Sequence, residues 1–401
     1  MTNPTLGRAA TTMGAATALS RAVGFVRVLV VAAVLGTTYL GNTFLAANSM
    51  ANVLFELLAA GALSAVLVPT FVALLDSGDD DEARRLARGL LWVALVGLGV
   101  VTVVALVCAP LIARLLASGV EDPGIAADQR RLATFLLWFF VPQVLLYAYG
   151  TVATAWLYAR RRFVVTALAP IANTAVMVGA LLAFRAVAGA DPGFDLSIGE
   201  RSLLVVAGTG GVVGFVAVLA FAARQSGLGL RPQRIRRDPA LGRLLRLAAW
   251  GVLLHANAGI LLGATLVFGN SVAGGVVAYQ VAFVFFLAPY AILAQPILTT
   301  VLPELSTRSG AGESDAFAET VRWGLDRMAV LVVPVSFAMA ALALPAMRIV
   351  SFGEAGAEGP GLLAAALAAL AFGLYPYGAL LFLARAYYAL DDSRTPALVA
   401  I

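Results

Sequence analysis

The chain has 401 residues, 61% hydrophobic and 12% charged, with a mean hydropathy of +0.93. Soluble domains run at about 45–50% apolar and about 25% charged, so this composition excludes an ordinary soluble domain and defines a polytopic membrane protein. One cysteine (Cys108) and one histidine (His255) exclude disulfides and cysteine- or histidine-cluster metal centres, and no cofactor or metal is expected. The net charge is +5 and all 27 basic residues are arginine. Seven of them lie between Arg224 and Arg246 against Asp238 alone, a local patch suited to anionic lipid rather than nucleic acid.

Apolar runs long enough to span a bilayer (about 20 residues) fall near 13–36, 44–75, 89–116, 132–158, 163–186, 202–223, 245–268, 272–303, 328–350 and 360–388, about ten transmembrane helices. The first carries Arg21 and Arg27 and leads directly into the second, which distinguishes it from a cleaved signal peptide. These two spans hold the most unusual chemistry in the sequence: Ser20, Arg21 and Arg27, then Asn42, Asn48, Asn52 and Glu56. An ionisable side chain inside a membrane costs about 2.5–3.5 kcal/mol on insertion scales, so these residues are the candidate functional site. Arg21 and Arg27 point about 120° apart on one helix and can both border a wide cavity. Alternatively, Arg21 pairs with Glu56 and Arg27 snorkels. Asn48 and Asn52 share a helical face, either lining a hydrophilic path or bridging helices.

Further along, Asp79-Asp80-Asp81-Glu82 reads as a solvated turn, and the glycines Gly208, Gly210, Gly211 and Gly214 as close helix packing. Residues 225–244 read as a basic amphipathic linker lying on the cytoplasmic membrane surface. Placing the N-terminus in the cytoplasm puts 19 arginines at cytoplasmic ends and loops against six opposite, with two inside the first span.

The sequence also repeats itself. Tyr147-Ala-Tyr-Gly150 recurs as Tyr375-Pro-Tyr-Gly378, and Leu67-Val-Pro69 as Val301-Leu-Pro303, the latter at an offset of 234 residues. Two pseudo-symmetric helical lobes around a central cavity follow, as parallel repeats: residues 1–224 (spans 1–6) and 245–401 (spans 7–10 and the start of an eleventh), joined by the linker. The apolar run opening at Pro396 implies that the second lobe is incomplete, truncated at its C-terminal end. No nucleophile–base–acid arrangement occupies a soluble face, so enzymatic activity is not expected.

Ser20-Arg21 with Gly24-Phe25-Val26-Arg27 resembles the first-helix signature of the MurJ/MviN family, lipid II flippases of the multidrug/oligosaccharidyl-lipid/polysaccharide exporter superfamily. Leu40-Gly41-Asn42-Thr43-Phe44 and Asn52 to Glu56 resemble the actinobacterial version of the second helix. Arg162-Phe163, Leu302-Pro303-Glu304-Leu305-Ser306 and Tyr388 to Pro396 extend the resemblance along the sequence. It implies that Ser20, Arg21 and Arg27 face a substrate cavity. The sequence departs from many proteobacterial members at Asn42, where they have aspartate, and at Phe55 and Val284, where they have arginines.

The implied activity is movement of the peptidoglycan precursor lipid II, or a related undecaprenyl-diphosphate-linked sugar, from the inner to the outer leaflet by alternating access. The protein would be multi-pass in the bacterial plasma membrane, with membrane lipid and cell-wall synthesis proteins as partners. Arginine suits the diphosphate because its planar fork binds phosphate oxygens in pairs and stays charged. Two alternatives stand beside it. One is a cation-coupled exporter of the same superfamily, dependent on Glu56; the other is a non-transporting scaffold for cell-wall synthesis.

Overall fold

The computed structural model describes residues 4–58, 60–229, 231–233, 259–356, 359–390, 392 and 394–399, with side chains described except at 4–11, 56–66, 394 and 397–398. The Glu56 side chain, His255 and most of the 225–244 linker lie outside the described residues. Among the described residues all regular structure is helical. Lipid imposes this, because a helix satisfies its own backbone N–H and C=O groups where no water can.

The helices run in order as α1 (Pro4–Leu35), α2 (Tyr39–Leu58), α3 (Ala60–Asp76), α4 (Asp80–Val107), α5 (Ala109–Leu116), α6 (Pro123–Phe140), α7 (Gln143–Ala159) and α8 (Phe163–Ala188). Then come α9 (Ile198–Val205), a π turn at Val206–Gly210, α10 (Gly211–Gln225), α11 (Gly259–Asn270) and α12 (Gly275–Pro289). A second π turn, Tyr290–Ala294, leads to α13 (Gln295–Gly310), followed by α14 (Ser314–Ala341), α15 (Ala343–Val350), α16 (Gly359–Ala371), α17 (Leu374–Ala389) and α18 (Arg394–Val399).

Seven helical stretches among the described residues are long and apolar enough to cross a membrane, and the α16–α17 pair, bent by 43°, makes an eighth. Of the other two expected runs, 44–75 is covered by α2 and α3, on either side of residue 59, which lies outside the described residues, and 245–268 is described only from residue 259. Two expected boundaries are corrected. The runs read as ending at 116 and 350 stop at Val107 and Ala341, and short separate helices, α5 and α15, follow. Pro110, at the start of α5, lacks the N–H that would continue α4.

The repeat is visible in the helix bounds. Asp80–Val107 and Ala109–Leu116 recur as Ser314–Ala341 and Ala343–Val350, every bound shifted by 234 residues. The end of α3 at Asp76 matches the end of α13 at Gly310 by the same shift.

The protein divides into two compact units, Met1–Val276 and Val277–Ile401. In the first, α7 packs on α3, α4 and α10, and α8 on α1 and α10. Trp156 of α7 is fully buried, with the Phe71 ring of α3 edge-on at 5.9 Å. Lipid is as apolar as leucine, so packing here depends on close contact of shape rather than on exclusion of water. Small residues supply that contact. A Cβ on Gly150 would meet the Phe215 ring at 3.3 Å, and one on Gly214 would meet Val176 at 3.3 Å. The expected glycine packing is therefore present, and the π turn at its centre is an additional feature. In the second unit α13, α14 and α17 pack around Met328 and Phe382, with Gly324 beneath the Phe382 ring and Gly378 beside the Met328 sulfur.

The acidic run is not uniformly solvated. Asp80, at the start of α4, pairs with Arg160 at 2.8 Å, and that guanidinium also stacks over Trp156 at 5.1 Å. The basic turn after α7 is thereby fixed to the start of α4.

Candidate functional site

The site grows from one face of α7. Gln143, Tyr147, Thr151, Thr154 and Tyr158 recur at spacings of four, four, three and four, so a hydrophilic stripe runs down an otherwise apolar helix. Four of these residues, from Tyr147 to Tyr158, line a cavity of about 510 Å³ together with Asn52 and Phe55 of α2 and Phe215 of α10. A second cavity of about 370 Å³ shares Val68 and Tyr158 with the first and reaches Asp76 and Arg161 at the helix ends. The two form a track along the stripe.

At the inner end of the stripe the polar groups are organised. Gln143 is fully buried and donates to the Thr209 hydroxyl at 3.0 Å; Thr209 in turn donates to the Phe139 carbonyl at 2.8 Å. Thr209 sits in the π turn, whose widened backbone lets its hydroxyl leave the helix for α6 and α7. Tyr147 donates to the Gln143 side-chain oxygen at 3.4 Å. Arg27 of α1 lies within electrostatic range of that phenol. The Phe55 ring tilts against Tyr147 at 5.7 Å. Gln143→Leu should lower stability by about 1–2 kcal/mol, because the Tyr147 and Thr209 hydroxyls lose a buried partner. Thermal unfolding of the detergent-purified variant measures it.

The residues expected at the site therefore separate. Asn52 lines the cavity beside Tyr147, whereas Arg27, partly buried, lies within electrostatic range of Tyr147 without lining either cavity of the track. Ser20 is partly buried and Arg21 exposed, and neither lines the two cavities of the track. Asn48, although one turn from Asn52, faces the π turn: its side-chain oxygen lies 3.0 Å from the position a Cβ on Gly208 would take. That oxygen is buried without a partner among the described residues.

Asn42 has a different task. It is fully buried, and its amide donates to the Val272 carbonyl at 2.7 Å and the Gly269 carbonyl at 3.4 Å, while its oxygen accepts from the Val276 N–H at 2.9 Å. Asn42 thus clamps the start of α2 to the turn between α11 and α12. Gly274 in that turn has a φ of +72°, and a Cβ there would lie 2.6 Å from the Thr37 Cα, so only glycine fits.

Sequence reasoning missed Tyr147, Gln143 and Thr209. The signal for the first two was the period of the polar stripe; for Thr209 there was none, because a π turn leaves no regular spacing.

A bundle of apolar helices with a cation and a hydrophilic stripe held inside it is an integral membrane transporter. A family model described as lipid II flippase MurJ matches residues 31–401. The chain belongs to that family. A probable lipid II flippase MurJ of Rhizobium tropici is 28% identical, over 96% of this chain and 71% of the relative. The lipid II flippase MurJ of Burkholderia cenocepacia is 26% identical, over 99% of this chain and 76% of its own. Among solved structures, a lipid II flippase MurJ in an inward closed conformation superposes with a TM-score of 0.75 at 19% identity, covering 97% of this chain and 78% of the other. An inward-facing multidrug resistance transporter of the MATE family reaches 0.68 at 12% identity, covering 95% of this chain and 83% of its own. These likenesses establish the fold.

Proposed function

We propose that the protein transports lipid II from the inner to the outer leaflet by alternating access, with its N-terminus in the cytoplasm and without enzymatic chemistry. The observation that carries the reading is Arg27, a cation in the first apolar span within electrostatic range of Tyr147 on the α7 stripe, in a member of the MurJ family. A lipid-linked diphosphate needs a cation and a hydrophilic path for its sugar, while its tail stays in lipid. In this reading Arg27 supplies the first. Asn52, Thr151 and Thr154 supply the second through amide and hydroxyl groups that exchange hydrogen bonds with sugar hydroxyls. In this reading the Asn42 clamp belongs to one end state and opens in the other, which is how a small polar contact biases a two-state element.

The arginine bias of 19 against six supports the orientation. Expression in a strain depleted of its own lipid II flippase tests the function. Rescue of growth is expected; a well-inserted protein that leaves the cells to lyse would sink the proposal.

A further inference from the structure

We infer that the open groove between α5 and α6 is a binding site for the phosphate group of an anionic phospholipid of the surrounding bilayer. The groove, about 560 Å³, shares no lining residue with the two cavities along the α7 stripe. Its lining includes Arg114 from the last turn of α5 and Arg130, Arg131, Thr134, Phe135 and Trp138 from one face of α6. Three guanidinium groups facing one space repel each other unless an anion joins them. Among the described residues, only Arg131 has a carboxylate partner, the exposed Asp128 at 3.6 Å. The nearby Asp122 carboxylate is engaged in capping α6, accepting from Gly124 and Ile125.

The order of residues along α6 matches the polarity gradient of a lipid. From Arg130 to Trp138 is about 12 Å of helix, the scale that separates a headgroup from the upper acyl chain. Arginine forks suit phosphate oxygens, and tryptophan is the side chain favoured at the interface below them. The exposed apolar residues at the groove point to bilayer rather than water: Trp138 in its lining is 52% exposed, and Leu111, next to the lining Pro110, 65%. A soluble phosphate would have no use for them.

The internal repeat supplies a control. Arg348 occupies the register of Arg114 in α15, 234 residues on, and is exposed as well. The helix after it, α16, reads GPGLLAAALAALA and carries no charge, so the second unit has the first arginine and no counterpart of the other two.

Native mass spectrometry of the detergent-purified full chain, titrated with dioleoylphosphatidylglycerol, tests the site. The Arg114→Gln/Arg130→Gln/Arg131→Gln variant is expected to bind it at least about tenfold more weakly. Arg130→Gln alone, a milder change to folding, should weaken it about threefold, and Arg348→Gln should match the wild type. Dioleoylphosphatidylcholine should bind more weakly than the anionic lipid. Unchanged phosphatidylglycerol binding in the folded single and triple variants would overturn the inference. So would displacement by equimolar inorganic phosphate, which would mark a soluble-anion site, or by equimolar undecaprenyl diphosphate, which would mark a site for the transported class of lipid.

Discussion

Arg27→Ala is expected to weaken lipid II binding by at least about thirtyfold and to abolish rescue of a flippase-depleted strain, with membrane insertion unchanged. Truncating one partner of a buried charged contact costs about 2–5 kcal/mol, and a factor of thirty corresponds to the lower end of that range. The effect falls on substrate rather than on folding because, among the described side chains, Arg27 has no carboxylate partner to strand. Among those side chains its electrostatic neighbour is the Tyr147 phenol. Arg27→Lys should be intermediate: an ammonium keeps the charge and loses the two-pronged grip on phosphate. Arg21→Ala should cost far less, since Arg21 is exposed whereas Arg27 is partly buried and within electrostatic range of Tyr147. Titration of purified variants with lipid II measures all three. Equal losses at Arg21 and Arg27 would contradict the placement of the phosphate beside Tyr147.

Asn42→Ala should be the most destabilising of the second-helix substitutions, lowering stability by about 2–4 kcal/mol in detergent. The change leaves the buried Val276 N–H and the Val272 carbonyl without their partner, and each orphaned group costs about 1–3 kcal/mol. Gly274→Ala attacks the same turn through its backbone, forcing a Cβ against Thr37 at a positive φ. The two changes should combine less than additively, because either one alone already releases the turn. Asn52→Ala, at an exposed position, should leave unfolding nearly unchanged and affect transport alone. An Asn42→Ala protein as stable as wild type would show that the clamp contributes nothing in solution.

These two sites mark what is legible in the sequence. A charged residue in an apolar run is costly wherever it lies, so Arg27 is conspicuous from its neighbours in the chain alone. The repeat is conspicuous for a related reason: prolines and tyrosines are rare enough in apolar helices that Pro69 and Pro303 fix a register, which the helix bounds follow at 234 residues. Asn42 is legible as a polar residue in an apolar run but not as a clamp. Its partners are backbone groups 227 to 234 residues away, and a backbone carbonyl carries no sequence signature. Asn48 and Asn52 show the limit of periodicity. Their four-residue spacing places them near one face, yet a turn of helix separates a contact with the π turn from an opening onto the cavity. The short helices α5 and α15 merge with the long spans preceding them because their composition is equally apolar; only the prolines in their first turns, Pro110 and Pro345, mark a break.

Reconstitution of the purified protein into vesicles carrying fluorescent lipid II, with loss of label to a membrane-impermeant quencher followed over time, tests the central claim most directly. The expected result is full quenching with the wild-type protein, and quenching limited to the outer-leaflet half in protein-free and Arg27→Ala vesicles. Wild-type vesicles that plateau at the outer-leaflet half, with the protein folded and inserted, would contradict it.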